Sequence, residues 1–331
     1  MAELTAHRLY HTGPRKVEWR TEALVAPGPG EVLVRTRLTA ISGGTEGLFF
    51  RGDLDEETRL DGLLLGLTGK ASYPFRYGYC LFGVVEALGS GVAQEWAGRR
   101  VFAFEPHCSA FVAPVTRLHP VPDAVPDRRA VLFPLAETAV SLVMDAAPLW
   151  GERAAVVGLG PLGALTAGLL SEFPLGALSL RDPLVARRER VKGWLGRAAP
   201  SPEADDTGTC DLAFDVGGRP SSAAAAVRAL GHGGRLILAS WQGNDFLIPG
   251  AGTDFHRKRL RIVTSQVSTL APELTARWSP ERRAREVWRR LADWPVEGLI
   301  SHELPFQSAQ DALTGLQDSK HDYFQVVLQY E

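Results

Sequence analysis

The chain has 331 residues, of which 45% are hydrophobic and 22% are charged, and its formal net charge is −2 at pH 7. This length suggests about two domains, and this composition is typical of a globular protein with a sizeable core. The near-neutral charge does not indicate a nucleic acid or a membrane surface as a partner, and no apolar run is long enough to span a bilayer.

The chain start and the cysteines bear on the cellular compartment. The segment 1–8 contains no apolar signal core. The three cysteines, Cys80, Cys108 and Cys210, are odd in number and widely spaced, which does not favour a disulfide framework. We therefore expect a reduced, cytoplasmic protein.

The first third of the chain is predicted to be rich in strands. Residues 31–40 alternate with period two after a Pro-Gly turn, and further strands are expected at 79–87 and 100–104. A short helix is expected around 56–65. The proline-rich stretch from Pro114 to Pro126 predicts a domain boundary.

From Asp127 onward the pattern changes to alternating strands and helices. A helix is predicted at 137–149, and Ser279-Pro280-Glu281 predicts a later helix start. The arginines that follow this start are expected to form a solvated face. The terminal segment 323–330 is strand-like, which suggests that the chain returns to its first domain. Short apolar strands are expected at 154–157, 177–180, 212–214, 235–240 and 260–263.

The most informative motif is G-x-G-x-x-G, which runs from Gly158 through Pro161 and Leu162 to Gly163, between a predicted strand and a predicted helix. In a dinucleotide-binding unit, Gly158 would make the tight turn and Gly160 would let the backbone approach a pyrophosphate. Gly163 would let the helix pack on the strand. The helix start would offer N–H groups to the phosphates. The alternative is a strand-turn-helix without a ligand.

An acid follows the glycines at the expected distance. Asp182 comes after the second predicted strand, where a carboxylate suits a pair of ribose hydroxyls and would repel a 2′-phosphate. Asp182 therefore favours NAD, whereas Arg181, Arg187 and Arg188 keep NADP open. We assign Arg187 to the cofactor site as well.

Several segments together resemble the medium-chain dehydrogenase/reductase superfamily, which includes the zinc alcohol and polyol dehydrogenases. The resemblance covers nearly the whole chain and is carried by 29–34, 83–92, 98–101, 158–163 and 211–218. Segment 41–46, Ile-Ser-Gly-Gly-Thr-Glu, resembles a variant of divergent members that include bacteriochlorophyllide dehydrogenases.

The resemblance implies an α/β fold with a GroES-like β domain and a Rossmann domain with a doubly wound parallel sheet. The GroES-like domain would comprise residues 1–125 and 296–331, and the Rossmann domain residues 126–295. A nicotinamide cofactor would lie in the cleft between the domains, and the protein would be a homodimer formed by edge-to-edge pairing of Rossmann sheets.

Further cofactor contacts are assigned at strand ends and on the interdomain helix. Ser240 and Ser265 follow predicted strands at the edge where such sheets bind ligands, and Val216 follows another. Thr138 matches a family residue close to the nicotinamide ring. Its neighbour Glu137 is either part of this site or a first-turn acid that the helix dipole favours.

The residues aligned with the family's catalytic zinc ligands are not ligands here. They are Ser42, the Tyr79 of Gly78-Tyr79-Cys80, and the Phe133-Pro134 pair. A catalytic zinc needs about three N, S or O ligands and an open position. The four-cysteine structural zinc lobe is missing, because Cys108 stands alone in its region. We therefore predict no zinc; a site rebuilt from Cys80, His107 and Cys108 is the alternative.

Without a metal, a hydrogen-bond donor must polarise the substrate oxygen. Thr45 matches the hydroxyl residue that relays protons in the zinc enzymes, Glu46 matches the neighbouring acid, and Tyr79 takes the place of the lost histidine ligand. We predict Thr45 and Tyr79 as donors, with Glu46 in the catalytic group. The alternatives are turn capping for Thr45, a buried pair with an arginine for Glu46, and packing for Tyr79.

Two basic segments have competing interpretations. His107 either faces the cleft or, as we favour, is an exposed loop histidine. His256-Arg257-Lys258-Arg259 is expected late in a helix, where basic residues complement the dipole; recognition of an anionic substrate is the alternative.

These patterns predict a zinc-independent NAD(P)-dependent oxidoreductase that transfers a hydride between nicotinamide and an alcohol or carbonyl substrate. One alternative is reduction of a conjugated C=C bond, as in zinc-free quinone and enoyl reductases. The other is a nucleotide-binding sensor without turnover, since function resides in sites and not in folds.

Overall fold

The computed structural model describes residues 4–61, 67–196, 207–243, 246–318 and 322–330. The chain divides into two compact units, Met1–Pro134 with Trp288–Glu331, and Leu135–Val287. The bounds of these units differ from the predicted domain bounds at 125/126 and 295/296, and the domain assignment itself stays a prediction. Within the described ranges, no helix has the length and apolar character to cross a membrane.

The strands and helices of the described residues are numbered in chain order. The strands are β1 (Thr5–Gly13), β2 (Lys16–Ala23), β3 (Glu31–Ile41), β4 (Leu81–Leu88), β5 (Arg100–Ala103), β6 (Ala110–Pro114), β7 (His119–Pro120), β8 (Arg153–Val157), β9 (Ala177–Arg181), β10 (Cys210–Asp215), β11 (Leu230–Leu238), β12 (Arg261–Thr264), β13 (Ile300–Pro305) and β14 (Gln325–Gln329). The α-helices are α1 (Thr45–Arg51), α2 (Asp127–Ala130), α3 (Phe133–Ala146), α4 (Pro161–Leu170), α5 (Val185–Leu195), α6 (Pro220–Ala229), α7 (Ala251–Lys258), α8 (Pro280–Asp293) and α9 (Ala309–Gln317).

The first unit is built on strand β3, as the alternating pattern of residues 31–40 predicts. β3 pairs antiparallel with β4, β6 and β14, so the final strand returns to the first sheet as expected. The seven-stranded sheet has the order β13-β14-β3-β4-β5-β7, with β6 on β3. Val32 and Val34 of β3 and Val326 of β14 are fully buried, which joins the two ends of the chain in one unit through apolar packing.

The second unit is a five-stranded parallel sheet in the order β12-β11-β10-β8-β9. Both faces of a parallel sheet are covered by helices, so its central strands carry buried residues without alternation. Residues 154–156 of β8 and 212–214 of β10 are almost fully buried. β9 lies on one side of β8, and β10 lies on its other side, so the strand order reverses at β8. The carboxyl ends of β8 and β10 therefore form the switch point, which is where such sheets bind ligands. The predicted α/β class is confirmed.

Two predicted helices differ from the observed ones. The helix expected at 137–149 is α3, which begins at Phe133 and ends at Ala146, because Ala147 has a positive φ of 44° and a proline follows. The helix expected at 56–65 is not observed at 56–61, where the chain turns and Arg59 bridges Lys70. The remainder of that segment lies outside the described residues.

His11 on β1 is a fully buried histidine in the first unit, stacked on Phe75 with 5.0 Å between ring centroids. Within the described residues, neither ring nitrogen has a hydrogen-bond partner. Burial lowers the pKa of His11 to about 4; Glu46 acts to raise this pKa and His107 to lower it. The folded protein therefore holds this imidazole neutral.

The pKa of His11 predicts a loss of stability in acid. Between the unfolded value of 6.5 and the folded value of about 4, the unfolded chain binds more protons, so stability is complete above this window and falls as the pH falls through it. The loss is about 3 kcal/mol. Urea unfolding of wild type and His11→Phe at about pH 7.5 and about pH 5 checks this, since over this part of the window the variant should lose about 2 kcal/mol less. Equal losses in both proteins would contradict it.

Candidate active site

The glycine-rich turn after β8 needs two of its glycines for close packing. Gly158 has a φ of +96°, and a Cβ there would lie 2.5 Å from the backbone nitrogen of Gly217. A Cβ at Gly163 would lie 2.0 Å from the carbonyl oxygen of Gly158. A Cβ at Gly160 would meet no atom within 4 Å, so the space beside this residue is open. This is the arrangement that the motif predicts.

Helix α4 begins directly in this open space. Gly160 is its N-cap residue, no side chain caps it, and Pro161 occupies the first position, where its missing N–H costs nothing. The N–H groups of Leu162 and Gly163 belong to the first turn, which has no acceptor within the helix. The donors, the dipole and the open space next to Gly160 fit the pyrophosphate of a dinucleotide.

Asp182 lies beside the same turn and is only 8% exposed. Its carboxylate accepts the backbone N–H groups of Leu159 and Leu184, each at 2.8 Å. Arg187 approaches the carboxylate at 3.8 Å, and Arg188 donates to the Asp182 carbonyl oxygen. A carboxylate has about four acceptor positions, so two backbone bonds leave capacity for ribose hydroxyls.

Asp215 is a residue of this edge that the sequence reasoning missed. It ends β10, is 1% exposed, and accepts hydrogen bonds from Ser222 Oγ (2.6 Å), the Gly217 N–H (3.2 Å) and Gln242 Nε2 (3.2 Å). Burial raises the pKa of Asp215, against these hydrogen bonds. The acid holds the loop that packs on Gly158. An aspartate at a strand end before paired glycines was the available signal.

The other predicted cofactor residues occupy neighbouring strand ends and α3. Val216 donates its N–H to the Val157 carbonyl at 2.9 Å, across the switch point. Ser240 follows β11 and lies against Gly218, whose Cβ would be 3.4 Å from the Ser240 Cβ. Ser265 donates its hydroxyl to Asp145 of α3 at 2.5 Å. Thr138 is half-buried on α3.

Glu137 and Arg283 form a buried ion pair, which corrects two expectations. Glu137 lies beyond the first turn of α3, so it is not a first-turn acid. Arg283 of α8 is 3% exposed and donates to Glu137 Oε1 at 3.0 Å, so this arginine is not part of the solvated face. It also donates to the Val267 carbonyl at 2.6 Å and to Ser141 Oγ at 3.0 Å. Long-range pairing decided the burial of both side chains.

His256, Arg257 and Lys258 lie in the last turn of α7, where basic residues complement the dipole as expected. Lys258 also pairs with Asp254 at 3.4 Å and donates to the Leu230 carbonyl. No contact bears on the alternative interpretation as an anionic substrate site.

Three hydroxyl groups cluster in the first unit, where the resemblance aligns the zinc ligands. Tyr79 donates to Ser42 Oγ at 2.5 Å, and Thr45 lies near enough to the phenol to lower its pKa. Burial raises the pKa of Tyr79, and the opposing effects of Ser42 and Thr45 offset this rise only in part, so the phenol is protonated at neutral pH. Thr45 is the first residue of α1, and its hydroxyl does not cap that helix.

Glu46 and His107 lie behind this hydroxyl cluster and are both buried. Glu46 Oε1 accepts the Ser42 N–H at 2.7 Å, and Oε2 lies 2.9 Å from His107 Nε2. The partner of Glu46 is therefore a histidine and not an arginine. His107 is 1% exposed, so the expectation of an exposed loop histidine was wrong. Strand β1 covers this loop, and the backbone N–H of Leu9 donates a hydrogen bond to the His107 carbonyl.

The residues present do not fit the family's catalytic zinc. Ser42 and Tyr79 bond to each other, and the Phe133 ring stacks on Trp288 at 4.3 Å between centroids. Across the part of the chain that the structure describes, no three His, Cys, Asp or Glu side chains form a group able to hold a metal.

The chain has a parallel sheet with a glycine turn at its switch point and a separate β-rich unit that contains both chain ends, which is the fold that the resemblance to medium-chain dehydrogenase/reductases implies. The structure is similar to that described as a short chain alcohol dehydrogenase from Escherichia coli CFT073 complexed with NADH. The TM-score is 0.76 with 19% identity, covering 99% of this chain and 100% of the other.

Curated relatives match over most of their length. The chain is 22% identical over 348 residues to L-threonine 3-dehydrogenase of Stenotrophomonas maltophilia (strain K279a), which covers 91% of this chain and 94% of that protein. It is 23% identical over 337 residues to D-guloside 3-dehydrogenase of Escherichia coli (strain K12), covering 92% and 94%. No family model matches the chain. The resemblance to zinc-type medium-chain alcohol dehydrogenases is confirmed.

Proposed function

We propose that this protein is a zinc-independent, NAD(P)-dependent oxidoreductase that interconverts an alcohol and a carbonyl compound. The observation that carries the proposal is the hydroxyl cluster of Ser42, Thr45 and Tyr79, which stands where the resemblance aligns metal ligands. Under this proposal the protein is cytoplasmic and forms a homodimer, the first unit is the GroES-like catalytic domain, and the second is the dinucleotide-binding domain.

The second unit would hold the cofactor. The first-turn N–H groups of Leu162 and Gly163 bind the pyrophosphate, and Asp182 accepts from the ribose hydroxyls, which favours NAD over NADP. The same edge of the sheet carries Val216, Ser240 and Ser265, and helix α3 carries Thr138. The nicotinamide supplies or accepts the hydride when the cofactor is bound.

The first unit would manage the proton. Tyr79 keeps its phenolic proton at neutral pH and presents it as a hydrogen-bond donor; in the structure that donor bonds to Ser42. A substrate oxygen would accept this hydrogen bond, or one from Thr45. The hydrogen bond would polarise the substrate in place of coordination to a metal. The hydroxyls of Ser42 and Thr45 can each donate and accept, so they can pass the proton on.

Binding and turnover assays test the function directly. NADH fluorescence titration should show binding, and steady-state assays with panels of ketones and enones should show oxidation of NADH by ketones. Oxidation by enones alone would favour reduction of a conjugated C=C bond. Binding without turnover across both panels would favour a nucleotide sensor.

Replacing Tyr79 with Phe removes the predicted proton donor and keeps the ring. We expect kcat with a ketone substrate to fall by about 100-fold, the lower part of the range for positioned acids and bases, with NADH affinity unchanged. Tyr73→Phe is the matched control, because Tyr73 is a half-buried tyrosine of the same unit whose phenol lies 3.4 Å from the Phe49 carbonyl. Unchanged turnover in Tyr79→Phe would assign Tyr79 to packing.

Metal analysis tests the predicted absence of zinc. The purified protein should contain well under one zinc per chain after dialysis, and chelators should leave its turnover unchanged, because the side chains aligned with the ligands are hydroxyl and aromatic groups. One tightly held zinc per chain would contradict the prediction.

A further inference from the structure

Glu46 and His107 are two ionisable groups that the proposed chemistry does not use. Glu46 is 0% exposed and His107 is 1% exposed, and 2.9 Å separates Glu46 Oε2 from His107 Nε2. Burying such groups is costly unless each is hydrogen-bonded. A pair retained at that cost, next to the hydroxyl cluster, calls for a physical explanation.

Neither residue can touch a substrate, because neither is exposed. Glu46 has one oxygen on the Ser42 N–H at 2.7 Å and the other on His107. The Glu46 N–H in turn donates to the Ser42 carbonyl at 2.9 Å. Glu46 thus holds Ser42 through the backbone in both directions, and Ser42 Oγ is the acceptor for the Tyr79 phenol.

His107 contacts the other side of the same hydrogen bond. Gly78, the residue before Tyr79, has a φ of +116°, and a Cβ there would lie 2.6 Å from the His107 ring. The imidazole therefore packs on the backbone that leads into Tyr79. The His107 ring is linked to Ser42, the acceptor, through Glu46. It is linked to Tyr79, the donor, through its contact with Gly78.

One protonation pattern with a neutral imidazole satisfies all of the hydrogen bonds around His107. His107 Nδ1 lies 2.7 Å from Thr39 Oγ1, which lies 3.2 Å from the Tyr330 hydroxyl. If Tyr330 donates to Thr39 and Thr39 donates to Nδ1, then Nε2 carries the proton and donates to an ionised Glu46. Every group in this chain then has a partner, with the imidazole neutral.

We propose that Glu46 and His107 form a buried positioning pair that sets the geometry between the Tyr79 phenol and Ser42, with His107 as the Nε2–H tautomer. Glu46 is then a positioning residue and not a catalytic one. The proposal rests on the proposed function only for its effect on turnover; the effect on Tyr79 is independent of it. Hydrogen-bond partners that orient metal ligands typically change activity by about 10- to 100-fold, and we expect an effect of the same order for partners that orient this hydroxyl pair.

NMR spectroscopy of the full-length protein tests the pair without any assumption about turnover. Selective ¹⁵N-histidine labelling should show His107 as a neutral Nε2–H tautomer, assigned by its absence in His107→Gln. With ¹³Cζ-tyrosine labelling, both Glu46→Gln and His107→Gln should shift the Tyr79 resonance, which Tyr79→Phe assigns. His302→Gln is the control, because His302 is a half-buried histidine of the same unit that stacks on Tyr323.

Thr39→Val provides a milder variant, since it keeps the volume of the side chain and removes only the hydroxyl that bonds Nδ1. It should disturb the His107 tautomer and shift the Tyr79 resonance less than His107→Gln does. An Nδ1–H tautomer or a doubly protonated ring in wild type at neutral pH would overturn the proposal. So would an unchanged Tyr79 resonance in folded Glu46→Gln and His107→Gln.

Turnover provides the second readout. In Glu46→Gln and His107→Gln we expect kcat to fall by about 10-fold or more with NADH affinity unchanged. Absence of turnover in wild type would contradict the proposed function. The NMR comparison would still show whether Glu46 and His107 position Tyr79. Wild-type kcat in both variants, together with unshifted Tyr79 resonances, would show that the pair is only structural.

Discussion

Gly160→Asp is expected to weaken NADH binding by at least about 10³-fold while the protein remains folded. The new side chain has room, since a Cβ at Gly160 meets no atom within 4 Å, and the φ of −75° suits any L-residue. Aspartate is also a favourable N-cap residue for α4. Its carboxylate would lie where the proposed pyrophosphate binds, and such like-charge contact costs several kcal/mol, at about 1.4 kcal/mol per tenfold.

Fluorescence titration with NADH measures the effect, and thermal unfolding verifies that the variant is folded. Gly252→Asp is the matched control, because Gly252 lies in the first turn of α7 in the same unit and also faces open space. Its NADH affinity should equal that of wild type. Binding by Gly160→Asp within a few fold of wild type would mean that the pyrophosphate does not lie at this helix.

Glu137→Ala is expected to destabilise the protein by about 3–5 kcal/mol, because it leaves Arg283 buried without its charged partner. Arg283 is 3% exposed and bonds to the Glu137 carboxylate at 3.0 Å. Burial raises the pKa of Glu137 although Arg283 lowers it, so desolvation outweighs the attraction between the two charges. The loss of stability on removing one partner is therefore larger than the net contribution of the intact pair to stability.

Urea unfolding compares three variants with wild type. In Glu137→Leu/Arg283→Leu the uncompensated charge is gone, so most of the stability lost in Glu137→Ala should return. The Val267 carbonyl and Ser141 also lose the donor that Arg283 provides, so recovery is partial. Glu189→Ala, which removes an exposed pair with Lys192, should cost under about 1 kcal/mol. A loss in Glu137→Ala no larger than this control would contradict the prediction.

Local patterns were sufficient for many of the strands and helices and for the glycine-rich turn after β8. Period-two alternation predicted β3, the order strand-glycines-helix predicted β8 and α4, and Ser-Pro-Glu predicted the start of α8 at Pro280. These features depend on residues near one another in sequence, where backbone conformation and burial periodicity are written directly in residue type.

The partners of buried charges could not be predicted in the same way. Glu46 was assigned to the catalytic group, with a buried arginine pair as the alternative, and His107 was expected to be exposed. The two residues are instead in contact across 61 positions of sequence. Glu137 and Arg283 meet across 146 positions. Each residue alone is compatible with a solvated position, and only the packing of distant segments removes water from both.

The amino-acid sequence by itself predicted the class of fold and the glycine turn with its acid. It also placed Ser42, Tyr79 and Phe133 at the positions that the resemblance aligns with zinc ligands. Only the tertiary structure decided that Tyr79 bonds to Ser42 and that Glu46 and His107 lie buried behind them. The physical reason is that residue type sets what a side chain can bond, whereas burial and strand pairing set which partner it meets.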